Sequence, residues 1–548
     1  MKNNLPIAHG RPRFGDADLA TLATKDGDLS AWQAAYARHG VNAALHVGND
    51  FAVALQTESG GTYLAIDRFA IQTLCYRIVD GRLEVATRAD ELGANEIDPQ
   101  AIFDYLYFHV IPSPRTVFKD VHRLPPGHYA LFEGGRLTVA PYWQPHFIEG
   151  SGASFSSLRQ EFLDIVRDSV ANRIGTGSVG CYLSGGTDSS TVSGMLTQVT
   201  GRPAETYSIG FDVPGYDEME FARIAVRHFG THHHEYYITP DDLVAGMPKV
   251  AASYDQPFGN SSAVPAYYCA LRAREDGIDH LLAGDGGDEL FGGNSRYAKQ
   301  RVFGIYDRIP APVRTGLLEP MLADTTVFDR VPVAKKAASY IRQARVPMPD
   351  RMQTYNLLMR MGLETVFTRD FLDRIDPATP DRHQKATYAA CAPDASLVNK
   401  MLAYDWRYTL AENDLPKVIG SARLAGVDVG FPFLDGRLLD FSLKLPTNYK
   451  LKGLKLRWFF KEALRGFLPD EIITKKKHGF GLPFGPWAVQ HAPLNTLAKD
   501  SLHGLADRKI VRREFIETLL SEHLPAHPGF YGELVWIMTM MEQWFRSR

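Results

Sequence analysis

Cysteine is scarce: Cys75, Cys181, Cys269 and Cys391 are the only four in 548 residues, far apart and without a CxxC pair. That scarcity excludes a disulfide framework and the usual zinc spacings, and it suits a reducing cytoplasm. No apolar run reaches the about 20 residues that a bilayer span needs. The opening MKNNLPIAHGRPRFGD has no apolar stretch after its lysine, so it does not read as a secretion signal. Charge of one sign is lacking too: the formal net charge is -3, which predicts neither a nucleic-acid nor a membrane-surface partner. A Walker A lysine is missing, because no Gly-Lys-Ser/Thr follows the glycines of CYLSGGTDSS, Cys181 to Ser190. There is no internal repeat and no low-complexity tract.

What is present suits a globular chain of more than one domain, with 45% hydrophobic and 22% charged residues. Up to about Pro145 the sequence reads as strands and turns. DFAVALQ, GTYLAIDRF, CYRIVDGRLEVATR and HYALFEGGRLTVAPYW set β-branched and aromatic residues around Gly or Asp-Gly turns. EGSGASFSS then predicts a linker. Phe155, Leu158, Phe162, Ile165, Val166 and Val170 recur at helical spacing. From VGCYLSGG to about residue 290, the short apolar runs VGCYL, AETYSIGF and DHLLAGD alternate with helical patterns, as in parallel β/α units. The rest is mostly helical. Leu534, Ile537, Met538, Met541 and Phe545 form a core-facing stripe on the last helix.

Val179 to Leu183 is expected as a buried strand, Ser184 to Ser190 as a turn, and Thr191 onward as a helix. A helix N-terminus offers unpaired N–H groups and partial positive charge, which suit phosphate. Gly185 and Gly186 allow close backbone approach, and Ser184, Thr187, Ser189 and Ser190 bring hydroxyls. Asp188 would repel phosphate unless a cation lay between them, which suggests Mg²⁺. On this loop alone, an ordinary Gly/Ser turn capping a helix stays open. A second loop, LLAGDGGDELFGG, ends an apolar strand in a glycine turn with Asp285, Asp288 and Glu289. Carboxylates beyond a strand's C-terminal end lie where open α/β sheets bind ligands. Asp288 and Asp188 could share a metal at a leaving pyrophosphate. His232 to His234, in THHHEY, are expected to be structural, because adjacent strand residues point opposite ways and no cysteine accompanies them.

The first loop resembles the SGGxDS loop of the ATP pyrophosphatases, and AGDGGDELFGG resembles the SGDGGDELFGG segment of asparagine synthetases. TYSIGFDVPGYDEMEFARIAVRHFGTHHHEY, YDQPFGNSSAVPAY, GFPFLDGRLLDFSLKLP and KKKHGFGLPFGPW follow in that family's order. The resemblance implies an adenine-nucleotide α-hydrolase-like (ATP pyrophosphatase) domain over 151–548, with a parallel sheet and a helical C-terminal part. It implies ATP and Mg²⁺, a carboxylate that is adenylated, and an amine or ammonia that accepts the acyl group. Leu183, Ile209, Ala283 and Gly284 match positions around the adenosine, although Ala283 replaces the usual serine. Ser184, Gly185, Gly186, Asp188, Ser189 and Ser190 match the pyrophosphate loop, Asp188 and Asp288 the metal ligands, and Asp285 an acidic position beside the reacting groups. Lys477 matches a catalytic lysine, which would stabilise the negative charge that builds on the α-phosphate and on the later oxyanion.

Residues 1–150 resemble part of a class II glutaminase domain, so the overall class is α/β with a truncated Ntn-hydrolase-like α+β domain in front. GNDFAVALQTESGGTYLAIDRFAIQTLCYRIVDGRLEVATRADEL carries that resemblance. Such glutaminases attack with an N-terminal cysteine whose α-amine is the base; here position 2 is Lys2, and no cysteine precedes Cys75. β-Lactam synthetases and lasso-peptide cyclases resemble asparagine synthetases with dead glutaminase domains, and this chain is similar in that respect. Ile419, Gly420, Asp428 and Gly430 also depart from the family's charged pattern before PFLD, which argues against aspartate as substrate. The expectation is an amide-forming ligase that does not hydrolyse glutamine. Asparagine synthesis from aspartate and ammonia, and a silent scaffold, are the alternatives.

Overall fold

The structure is a computed structural model that describes residues 5–150, 152–323, 332–353, 356–475 and 481–548. Its front part carries a five-stranded antiparallel sheet ordered Ile7–Gly10, Phe51–Gln56, Thr62–Ile66, His128–Glu133, Arg136–Pro141. A three-stranded sheet, Arg82–Ala86, Cys75–Val79, His122–Arg123, lies with it. The hairpin Cys75–Val79 to Arg82–Ala86 turns on Asp80 and Gly81, both at positive φ, as a two-residue Asp-Gly turn requires.

The front part is not only strands and turns. Ala17–Asp26, Asp28–His39 and Pro99–Phe108 are helices. The first two bury Leu19, Ala31, Trp32 and Ala35. Their inner face is mostly alanine, which gives little hydrophobic contrast in sequence but lets helix and sheet approach closely.

The second part is built on a parallel sheet ordered His232–Ile238, Glu205–Phe211, Val179–Tyr182, His280–Leu282, Asp428–Gly430. In chain order this is 3-2-1-4-5, so the winding reverses between Val179–Tyr182 and His280–Leu282. Helix Phe155–Ala171 precedes the sheet, with Ser154 capping its N-terminus and Leu158, Phe162, Val166 and Val170 buried. The last helix, Pro528–Arg546, buries Leu534, Ile537, Met538 and Met541 as the stripe predicted, and Trp536, Met540 and Trp544 as well. It is enclosed on nearly all sides. Among the described residues, no helix is long and apolar enough to cross a membrane.

The two parts share one core: Ile102, Phe103 and Tyr105 of the front helix pack in the same cluster as Trp536, Ile537 and Trp544. Buried polar contacts stitch the seam. Arg123 meets Asp255 at 2.7 Å, Ala89 N donates to Asp255 Oδ2 at 2.9 Å, and Ser113 Oγ donates to Glu412 Oε1 at 2.6 Å. An apolar seam with its charges paired is hard to part, since breaking a buried pair costs about 3–5 kcal/mol.

Candidate active site

The point where a parallel sheet reverses its winding opens a crevice at the strands' C-terminal ends. Both glycine loops emerge there. Val179–Tyr182 leads through the buried Leu183, whose N–H donates to Tyr207 O at 2.9 Å, into the turn at Ser184. Gly185 is obligatory twice over: its φ is +68°, and a Cβ would stand 2.4 Å from Ala222 N. Helix Thr187–Thr200 then starts with Gly186 as an N-cap that makes no side-chain bond, so no side chain of that cap occupies the first-turn N–H groups. Ser189 Oγ accepts from Ser184 N at 3.1 Å and lies 3.0 Å from Ser184 Oγ, which closes the turn.

His280–Leu282 ends at Ala283, whose N–H donates to Gly430 O. A Cβ on Gly284 would fall 2.8 Å from Ser189 N, so the second loop rests directly on the first. Gly286, at φ +100°, turns the chain into the short helix Gly287–Phe291. Cβ atoms on Gly287 and Gly293 would lie 1.9 Å from Asp188 Oδ1 and 1.8 Å from Asp288 Oδ1. Both carboxylates are therefore packed against bare backbone.

Between them lies Arg457. It is 5% exposed, with its guanidinium over the Phe460 ring at 3.9 Å. Nη1 donates to Asp188 Oδ2 at 2.6 Å, Asp288 Oδ1 at 2.7 Å and Thr187 Oγ1 at 3.0 Å, and Nη2 donates to Asp188 Oδ1. Burial disfavours the Arg457 cation, but the two carboxylates outweigh burial and hold its pKa above the ordinary value. Half-buried Lys461 is pushed down, first by burial and then by Arg457.

A cavity of about 360 Å³ opens over these loops. Of the residues singled out from sequence, Leu183, Ser184, Asp188, Ser189, Ile209, Gly284, Asp285 and Asp288 line it. Gly185 and Gly186 shape the turn without lining the cavity. Ala283 and Ser190 are buried beneath it, and the Ser190 hydroxyl makes no hydrogen bond among the described residues. Lys477 lies outside the described residues.

Two further groups on the wall were not singled out. Lys417 Nζ stands 3.5 Å from Asp285 Oδ1 and 3.5 Å from Asp414 Oδ1. Burial works against the Lys417 cation, but the two carboxylates win and raise its pKa. Burial raises Asp285, with Lys417 opposing. The arrangement is a cation held between two acids on the cavity wall.

The departures before PFLD lie elsewhere. Lys417 and Val418 line the main cavity, but Ile419 and Gly420, further round the same helix, line a separate one of about 170 Å³ beside front-part residues. A Cβ on Gly420 would meet the Tyr254 ring at 2.5 Å, and one on Gly430 would meet His280 Nε2 at 2.9 Å. Ile419, Gly420, Asp428 and Gly430 thus sit at the seam and the outer strand, and none of them lines the main cavity. The histidine run is also accounted for. His232 and His234 bind Glu205 at 3.0 and 2.9 Å, and His233, on the other face, lies 3.0 Å from Thr206 Oγ1.

Comparison with known proteins follows this geometry. The front part matches the glutamine amidotransferase domain family over residues 20–143. The chain is 24% identical to asparagine synthetase [glutamine-hydrolyzing] 1 of Bacillus subtilis, over 95% of this chain and 80% of that protein. It is 23% identical to amidase chry2 of Gibberella zeae, over 85% of this chain and 74% of that protein. Residues 161–546, which hold both loops, Arg457 and Lys417, match the asparagine synthase family, and the chain belongs to that family of ATP-dependent amide ligases.

Proposed function

We propose that this chain adenylates a carboxylate, releases pyrophosphate, and passes the acyl group to an amine or to ammonia without hydrolysing glutamine. The observation that carries the reading is the meeting of the two glycine loops at the sheet's reversal point, with Asp188, Asp285 and Asp288 on one cavity. Leu183, Ile209, Ala283 and Gly284 would frame the adenosine, and Ser184 to Ser190 the phosphates at the helix N-terminus.

The residues fit Mg²⁺. Asp188 and Asp288 supply oxygen donors from separate loops, glycines leave them room, and the neighbouring hydroxyls are oxygen as well. Bound there, the ion would neutralise charge on the leaving pyrophosphate. Arg457 holds the same carboxylates in register and adds a second positive charge. On the same cavity, Asp285 with Lys417 and Asp414 would orient the reacting carboxylate and amine; Lys417 stays cationic and its neighbours can accept an N–H. Lys477 would stabilise charge on the α-phosphate and the oxyanion.

Glutamine independence is supported by thiol chemistry. A nucleophilic cysteine needs a lowered pKa and access to solvent. Burial pushes Cys75 up to about 12 and Cys391 up to about 11, and raises Cys181 and Cys269 as well. The front part, which we place at 1–150, then serves as a wall for the ligase at 151–548. Four free thiols suit a reducing compartment such as the cytoplasm.

ATP–pyrophosphate exchange with a panel of carboxylates tests the reading. Exchange that is lost in Asp188→Ala and Asp288→Ala is expected. Asparagine from aspartate and ammonia would select the simpler synthetase, glutaminase activity would refute independence, and absence of both exchange and ATP binding would leave a scaffold.

A further inference from the structure

A second cavity, of about 390 Å³, is lined by Asn413, the chain neighbour of Asp414 on the wall of the first. One segment joins them. Trp406–Asp414 is π-helical, a rare geometry that tends to occur at functional sites. Its Tyr408, Thr409 and Asn413 line the second cavity, and the next residue, Asp414, lines the first. Hydrogen bonds run from one lining to the other: Asn260 Nδ2 donates to Asn413 Oδ1 at 2.8 Å, and Asn260 Oδ1 accepts from the N–H of Ser262, which lines the first cavity. The front part pins this segment through Ser113 and Glu412.

The chemistry of the second cavity differs from that of the first. Phe108, Tyr408 and Tyr404 form a continuous aromatic wall, with ring centroids 5.5 and 4.8 Å apart. Asn356, Gln384 and Asn413 bring carboxamides to the lining. Its ionisable members have protein partners: Arg296 lies 2.7 Å from the buried Asp405, and Glu533 lies 3.3 Å from His109. Tyr404 is 3% exposed, and its hydroxyl, beside the Gln384 amide, donates no hydrogen bond among the described residues. A buried hydroxyl without a partner costs about 1–3 kcal/mol, so it marks a place where a ligand's polar group belongs.

We propose that this cavity seats a saccharide ring of the substrate whose reacting group lies in the first cavity. Aromatic faces attract the C–H face of a pyranose through their negative quadrupole. Carboxamides and the Tyr404 hydroxyl take up ring hydroxyls. The proposal rests on the ligase reading for its reacting group, but the cavity's own preference is separable.

Saturation-transfer NMR on the full chain, with methyl β-glucoside and methyl β-glucuronide as probes, tests it. Transfer to the ring protons of both is expected. Tyr404→Phe, which removes only the unbonded hydroxyl and keeps the packing, should weaken both by about fivefold. Transfer that Tyr404→Phe leaves unchanged overturns the proposal. So does displacement of the glycosides by 3-phenylpropionate with tighter binding of that aromatic acid, and so does no transfer at all. ATP–pyrophosphate exchange, measured in parallel, separates the two readings. Glycoside binding that responds to Tyr404→Phe without exchange on any carboxylate keeps the cavity assignment and removes the ligase. Exchange with aspartate and no glycoside binding does the reverse.

Discussion

Replacing Arg457 with leucine isolates the role of a cation between two acids. The change keeps a non-glycine residue at φ 53°, so backbone strain is common to both proteins. It deletes four side-chain hydrogen bonds, three of them to carboxylates. Asp188 and Asp288 then lose a shared counter-ion that is itself buried, and breaking such a pairing costs about 3–5 kcal/mol. For a chain of this length that corresponds to about 3–4 °C in melting temperature, extrapolating the usual size scaling. Thermal scanning at one fixed rate, without nucleotide, measures it. Added Mg²⁺ supplies the missing charge to Arg457→Leu; at 100 times its dissociation constant it returns about 2.7 kcal/mol. The wild type, already neutralised by Arg457, should respond far less. An Arg457→Leu protein that melts like the wild type, or whose Mg²⁺ response equals it, would refute both the counter-ion role and the shared metal site.

Lys417→Met should lower exchange by about a hundredfold at saturating ATP, as loss of a charge-stabilising donor does, with nucleotide binding kept; full exchange would remove Lys417 from the site. Lys477→Ala should likewise preserve ATP binding and collapse turnover, and substantial activity would sink its assignment. Lys450 supplies a pH test. It is buried, donates to Asn399 Oδ1 at 2.9 Å, faces the Phe147 ring and is near Glu149, and burial brings its pKa down to about 7. The folded chain then binds fewer protons than the unfolded one between pH about 7 and the ordinary lysine value of 10.5, so stability rises with pH across that window. Lys450→Met should flatten this rise and be the more stable protein near pH 7; urea midpoints at several pH values would show it.

Both glycine loops were legible because each is a short, contiguous string whose chemistry lies in adjacent residues. Arg457 was not, because its partners are 269 and 169 residues away and nothing near KLRWFFKEA announces an acid. Lys417 was hidden in the same way, paired to Asp285 across 132 residues. The outer strand Asp428–Gly430 is too short to show a period of two. The alanine-faced helices at Ala17–Asp26 and Asp28–His39 lacked the bulky stripe by which a helix is recognised. Conversely, the unusual residues before PFLD pointed to the substrate when read as a string, yet a rotation of about 100° per residue along their helix turns Ile419 and Gly420 away from the main cavity.

The shared core sets a timetable for synthesis. Tyr105 donates its hydroxyl hydrogen bond to Ile537 O, 432 residues later in the chain. At ribosomal rates, about 20–90 s separate the appearance of those two residues. Throughout that interval the apolar face of Pro99–Phe108 lacks part of its final cover, because Pro528–Arg546 is made later than its other partners. The front part therefore cannot complete its folding as an autonomous N-terminal unit. Nascent chains stalled before Pro528 should expose that face to chaperones, and recombinant yield should depend more on holdase supply and slow translation than on the stability of the finished fold.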